Sequence, residues 1–198
     1  VGLNIWKGNF LNNEIGLKDN RVNYNKLSGI GIQKSSDIKL VNNEVKGNKQ
    51  GICFEDVNNL LIRKNKIDEN SSNGILFIKD VNKVKIIENI FKKNCDFCID
   101  HRDSNAILIE NNKFKENPVI KAVDVNQIKL INNKVEIKSE RNVNSLSKVV
   151  KLSGSSSVSI ENNTFECNNI LFSIDEQSHG KIYNNFIKSC NKVVEIRN

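Results

Sequence analysis

The chain has 198 residues, 38% of them hydrophobic and only 6% aromatic, and Asn alone accounts for 35. That length allows one domain with a sizeable core, while no apolar run approaches the roughly 20 residues a membrane span needs. Thirty Lys and Arg against 23 Asp and Glu give a formal charge of +7. The surplus favours anionic partners, but it is spread along the chain, as a Lys- and Asn-rich composition alone would also leave it.

In chain order, one pattern recurs eight times: apolar-x-apolar-x-x-Asn-x-apolar. The copies read IGLKDNRV, IKLVNNEV, LLIRKNKI, VKIIENIF, ILIENNKF, IKLINNKV, VSIENNTF and GKIYNNFI. Their asparagines are Asn20, Asn43, Asn65, Asn89, Asn112, Asn133, Asn163 and Asn185, spaced 23, 22, 24, 23, 21, 30 and 22 apart. A near-fixed period of this size marks a stacked repeat. Alternation with period two, as at Ile38 and Leu40, predicts strands and not helices.

A second strand follows in each copy, at IGIQK, ICFED, LFIKD, IDHRD, IKAVD, VKLSG, FSIDE and VEIRN. A third, short strand centres on the column Val22, Val45, Ile67, Phe91, Phe114, Val135, Phe165 and Ile187. Both patterns share the single long spacing. About 22 residues per turn with three short strands predicts an all-β fold, a right-handed parallel β-helix of eight coils. Residues 1–198 read as a single domain, a fragment of a longer protein because the chain opens in mid-pattern. Residues 139–147 (SERNVNSLS) read as a loop insertion.

Stacking coils about 4.8 Å apart places like residues over like. The asparagine column is expected at a bend, where Asn tolerates left-handed backbone and its amides bond along the stack. These asparagines are therefore scaffold. Asp56, Asp80, Asp103 and Asp124 share one turn position.

The eight "ixNNxf" runs, which cover nearly the whole chain, resemble the parallel β-helix repeats of the pectate-lyase-like superfamily. Related domains occur in carbohydrate-binding proteins and sugar hydrolases. That resemblance implies the fold and a groove on outward strand faces, where such solenoids hold chain-like ligands. It says little of function, because the fold hosts lyases, epimerases, hydrolases, adhesins and non-catalytic modules.

The outward positions of the second strand were therefore read for chemistry. One row is Gly31, Cys53, Phe77, Asp100, Lys121, Lys151, Ser173 and Glu195. The next includes Gln33, Glu55, Lys79, Arg102, Val123, Ser153 and Asp175. Asp100, Arg102 and Lys121 are the catalytic candidates: in a lyase-like reaction a base removes the proton α to a uronate carboxylate and a cation stabilises the developing charge. Lys151, Phe77, Glu55 and Lys79 are the binding candidates, with Phe77 the sole aromatic platform on this face. The same residues also fit a plain charge ladder, with Glu55 beside Lys79 and Asp100 beside Lys121.

Ile99-Asp100-His101-Arg102-Asp103 resembles the Asp-Pro-His motif of alginate-epimerase-like β-helices, without the proline and one residue shorter. The match implies acid/base positions for Asp100 and His101. Alternation instead points His101 inward, in a row with Phe54, Ile78 and Ala122. No cofactor is expected; Asp100 is one carboxylate toward a calcium site, far short of a full set. Cys95 and Cys98 form a lone CxxC with no second pair, so free thiols are expected for all five cysteines, with no metal. Few aromatics interleave with the cations, which counts against nucleic acid.

Two functions fit this chain. One is a carbohydrate-directed domain binding or processing an anionic polysaccharide, outside the cell or on its surface. The other is a non-catalytic scaffold with a protein partner, which an intracellular place would suit. The thin catalytic inventory argues against turnover by this chain; were it an enzyme, the class would be polysaccharide lyase, epimerase or hydrolase.

Overall fold

A computed structural model describes residues 2–6, 15–116, 118–137, 148–168, 170–175 and 177–197. Every strand pairing is parallel, and each strand pairs with its counterpart one coil away. The chain is a parallel β-helix with three rows of strands, and among the described residues the third row contains eight strands, one for each of the eight repeats. The proposed insertion, 139–147, lies outside the described residues.

First-row strands include Asn82–Ile87, Ile107–Glu110, Ile128–Ile131 and Val158–Glu161. Second-row strands include Ile75–Phe77, Ile99–Ser104, Ile120–Val125 and Lys148–Ser153. In two early coils the strands Ser28–Val41 and Gln50–Arg63 run through both rows without a break, which joins the rows into one sheet. Alternation buries one face. Ile38, Leu40, Leu60, Ile62, Val84, Ile86, Ile107 and Ile109 all lie inside, stacked in register. The predicted third-row column is also observed, Val22 against Val45, Ile67, Phe91, Phe114, Val135, Phe165 and Ile187 in turn. Phe91 and Phe114 stack with ring centroids 4.9 Å apart.

The asparagine ladder runs from Asn20 to Asn185. Each Nδ2 donates to the next Oδ1, as from Asn89 to Asn112 (3.0 Å) and from Asn112 to Asn133 (3.1 Å). The same oxygen accepts the backbone N–H of the preceding coil's Asn, at 2.8 Å for Asn89. The bend works differently from the sequence expectation. Left-handed backbone sits one residue earlier, at Asp19, Asn42, Lys64, Glu88, Asn111, Asn132, Asn162 and Asn184. That residue turns the chain so that the following Asn points inward. Residues as different as Lys64 and Glu88 tolerate the position, so the ladder and not the dihedral demands Asn. The shared turn position of Asp56, Asp80, Asp103 and Asp124 is observed, with φ between 45° and 54°.

A second ladder went unread. Asn25, Asn48, Asn70 and Asn94 bond in the same way at the bend after the third row. It crowds the coil beside it. A Cβ at Gly51 would lie 2.4 Å from the Gly74 carbonyl and 3.0 Å from Asn70 Nδ2. Glycine is thus required there by space.

One coil breaks the predicted register. Ile75 and Phe77 pair with Ile52 and Phe54 on one side and with Ile99 and His101 on the other. Phe54 and His101 are each followed two residues later by the turn aspartate, whereas Phe77 is followed by Asp80 three later. The extra residue falls at Ile78–Lys79 as a bulge. Aligning this strand on Asp80 shifts it by one, and a one-residue shift exchanges the two faces.

Candidate functional site

The strands Ile99–Ser104, Ile120–Val125 and Lys148–Ser153 lie side by side, with Asp100 opposite Lys121 and Lys121 opposite Lys151. Arg102, Val123 and Ser153 form the next outward row. The predicted cluster of Asp100, Arg102, Lys121 and Lys151 is therefore brought together on one face.

Its electrostatics differ from a cross-strand ladder. Arg102 folds back along its own strand and grips Asp100 with two bonds, Nε to Oδ1 at 3.1 Å and Nη2 to Oδ2 at 2.8 Å. The carboxylate is 6% exposed and the guanidinium 45%. A bidentate pair of this kind is strong and directional, and the Asp100 bonds raise the Arg102 pKa further above its already high value. Asp100 therefore does not pair with Lys121. Lys121 and Lys151 are half-buried, and neither has an ion-pair partner among the described residues. Asp175 at the edge is engaged by Ser153 Oγ (2.6 Å), Ser178 Oγ (2.7 Å) and the Gly154 N–H (2.9 Å).

One binding candidate, and one expected charge pairing, are corrected. Phe77 is not an outward platform: it is fully buried, stacked on Phe54 at 5.4 Å and edge-on to His101 at 4.7 Å. Leu76 takes its place outward, and Ile78, expected inside, is 40% exposed. Lys79 pairs with Asp80 at 4.0 Å, not with Glu55, whose carboxylate accepts Gln33 Nε2 at 2.9 Å. The bulge turns Phe77 inward and Leu76 and Ile78 outward. The sequence held a signal for the true register in GIGI, GICF and GILF at 29–32, 51–54 and 74–77.

His101 points inward, as alternation predicts, and is fully buried. Neither ring nitrogen has a hydrogen-bond partner in the described structure. Burial pulls its pKa down to about 3, against a smaller opposing effect of Asp100. It is a neutral core side chain on the opposite face of the strand from Asp100, so the two do not form the acid/base pair that the motif resemblance implies.

All five cysteines are free thiols, Cys95 exposed and Cys98 buried, with burial raising the Cys98 pKa. Among the described residues no three His, Cys, Asp or Glu side chains converge as a metal-binding group. The one carboxylate of the cluster, Asp100, is held by Arg102.

This geometry is that of a solenoid presenting cations along a strand face, and the sequence belongs to a recognised family of that form. The family model described as right handed beta helix region matches residues 8–135, and the chain is a member of that family. Among solved structures, a double mutant of the periplasmic alginate epimerase AlgG superposes with a TM-score of 0.69 and 21% identity, over 88% of this chain and 45% of that one. The chain thus spans under half the length of that neighbour. The Streptococcus pneumoniae surface protein and adhesin PfbA superposes with a TM-score of 0.40 and 11% identity, over 84% of this chain and 68% of that one. No curated protein sequence matches the chain.

Proposed function

We propose that this β-helix binds an anionic polysaccharide along the outward face of its second-row strands. The observation that carries the proposal is the pair Lys121 and Lys151, in register on adjacent strands and without an ion-pair partner among the described residues. Adjacent rungs lie about 4.8 Å apart, so the two ammonium groups form one concentrated positive site for the carboxylates of a polyuronate laid across this face. Arg102, already neutralised by Asp100, adds hydrogen-bond donors beside them. The epimerase neighbour supports the fold alone, and the ligand class rests on the lysines.

Binding is favoured over turnover. A lyase or epimerase needs an accessible base. Asp100 is tied into its ion pair, and His101 faces the core.

The test is a titration against alginate, polygalacturonate and a neutral glucan at two salt concentrations. Binding to the two polyanions should weaken with salt, since exposed charges are screened beyond about 8 Å at physiological ionic strength. Lys121→Ala with Lys151→Ala should weaken it further and leave the melting temperature unchanged. Equal binding to all three glycans, or no effect of the double substitution, contradicts the proposal.

A further inference from the structure

A different face carries a different pattern. The outward row of the first-row strands reads Lys39, Leu61, Lys85, Leu108 and Lys129 on successive rungs. Lysine and leucine alternate from coil to coil. The neighbouring outward row supplies Ile87 and Ile131 on the lysine rungs. Leu61, Ile87, Leu108 and Ile131 are only half-buried and form an aliphatic zigzag among the lysines and glutamates of this sheet face. Contiguous exposed apolar surface of this kind marks an interaction site. A groove of about 420 Å³ runs along the lysine–leucine row at Leu108, on the side away from Ile87 and Ile131, lined by Lys83, Lys85, Leu108, Gln127 and Lys129 among others. Neither Lys85 nor Lys129 has an ion-pair partner among the described residues.

The spacing selects the occupant. Cations on alternate rungs are about 9.6 Å apart, twice the strand separation. A polyuronate could meet the lysines, but it would lay its polar hydroxyls against Leu61 and Leu108 between them. An extended peptide repeats on one face about every 6.7 Å and falls out of step within two residues. An α-helix brings residues i and i+7 about 10.5 Å apart, with i+3 and i+4 between them on the same face. We propose that this groove docks an amphipathic helix of a partner protein, laid along the β-helix axis. Acidic side chains at i and i+7 meet Lys85 and Lys129, and apolar side chains at i+3 and i+4 seat on Leu108. Glu110 and Glu161 occupy the far row, so the acidic residues lie on the lysine flank of the helix only. Nothing here depends on glycan binding by the second-row face.

The test uses a capped synthetic helix of about three heptads, with Glu at every seventh position and Leu at the two positions midway. Binding is read by fluorescence anisotropy. Three controls accompany it: a Glu→Gln version, a scrambled version, and the Lys121→Ala, Lys151→Ala protein. The patterned peptide should bind. Lys85→Ala with Lys129→Ala should lose roughly tenfold in affinity, and the Gln peptide should not distinguish that variant from the unaltered protein. Leu108→Gln should also weaken binding. These side chains point outward, so circular dichroism should be unchanged in every variant. The proposal is overturned if the patterned peptide fails to bind, if the scrambled peptide binds equally, or if the Lys121, Lys151 variant loses as much affinity as the Lys85, Lys129 variant.

Discussion

His101 occupies an inward column otherwise made of Phe54, Phe77, Ala122 and Leu152. An imidazole there brings two polar nitrogens into an apolar stack with no partner for either, a cost of roughly 1–3 kcal/mol for an unsatisfied buried group. The cost also makes stability depend on pH. In the unfolded chain the histidine titrates near 6.5, while burial holds the folded form neutral down to about 3. As pH falls between those values the unfolded state takes up a proton that the folded state refuses. The contribution is therefore intact above about pH 6.5 and lost progressively below it. At pH 4.5 the deficit should be about 2–3 kcal/mol. His101→Leu should raise the urea midpoint at pH 7 and reduce the difference between pH 7 and pH 4.5. An unchanged pH difference would show that the acid sensitivity resides in other groups.

At the scale of the strand and its bend, the asparagine ladder is the main polar support of the fold. Asn112 shows why. Its Nδ2 donates to the Ile86 carbonyl (2.8 Å) as well as to Asn133, and its Oδ1 accepts both the backbone N–H and the Nδ2 of Asn89. Asn112→Leu leaves several of these buried groups orphaned at roughly 1–3 kcal/mol each, so a loss of at least about 3 kcal/mol is expected in chemical denaturation. Asn20, half-buried at the other end of the ladder, should lose far less on the same substitution. Equal losses at both positions would mean that the ladder adds nothing beyond local packing. Much of this element was legible, because the ladder and the third-row column impose one residue type at one spacing. The second ladder was equally regular, at Asn25, Asn48, Asn70 and Asn94, but its asparagines lie outside the apolar-x-apolar-x-x-Asn pattern that made the first one visible. The bulge was the true obstacle: an inserted residue leaves both ends of the strand in pattern and reverses only its middle.

For the molecule as a whole, the sequence showed which cations share a face but not which are free. Arg102 and Asp100 are two apart on one strand, a spacing that a cross-strand reading passes over, and their pairing leaves Lys121 and Lys151 without an ion-pair partner among the described residues. A net charge of +7 is thus arranged in two ways. Consecutive rungs carry lysine on the second-row face, whereas alternate rungs carry it on the first-row face. The most direct measurement is lysine acetylation footprinting by mass spectrometry, with and without saturating oligogalacturonate. Lys121 and Lys151 should be protected while Lys85 and Lys129 react as in the free protein. Uniform protection of all four, or protection of Lys85 and Lys129 alone, would contradict the assignment of the glycan to the second-row face.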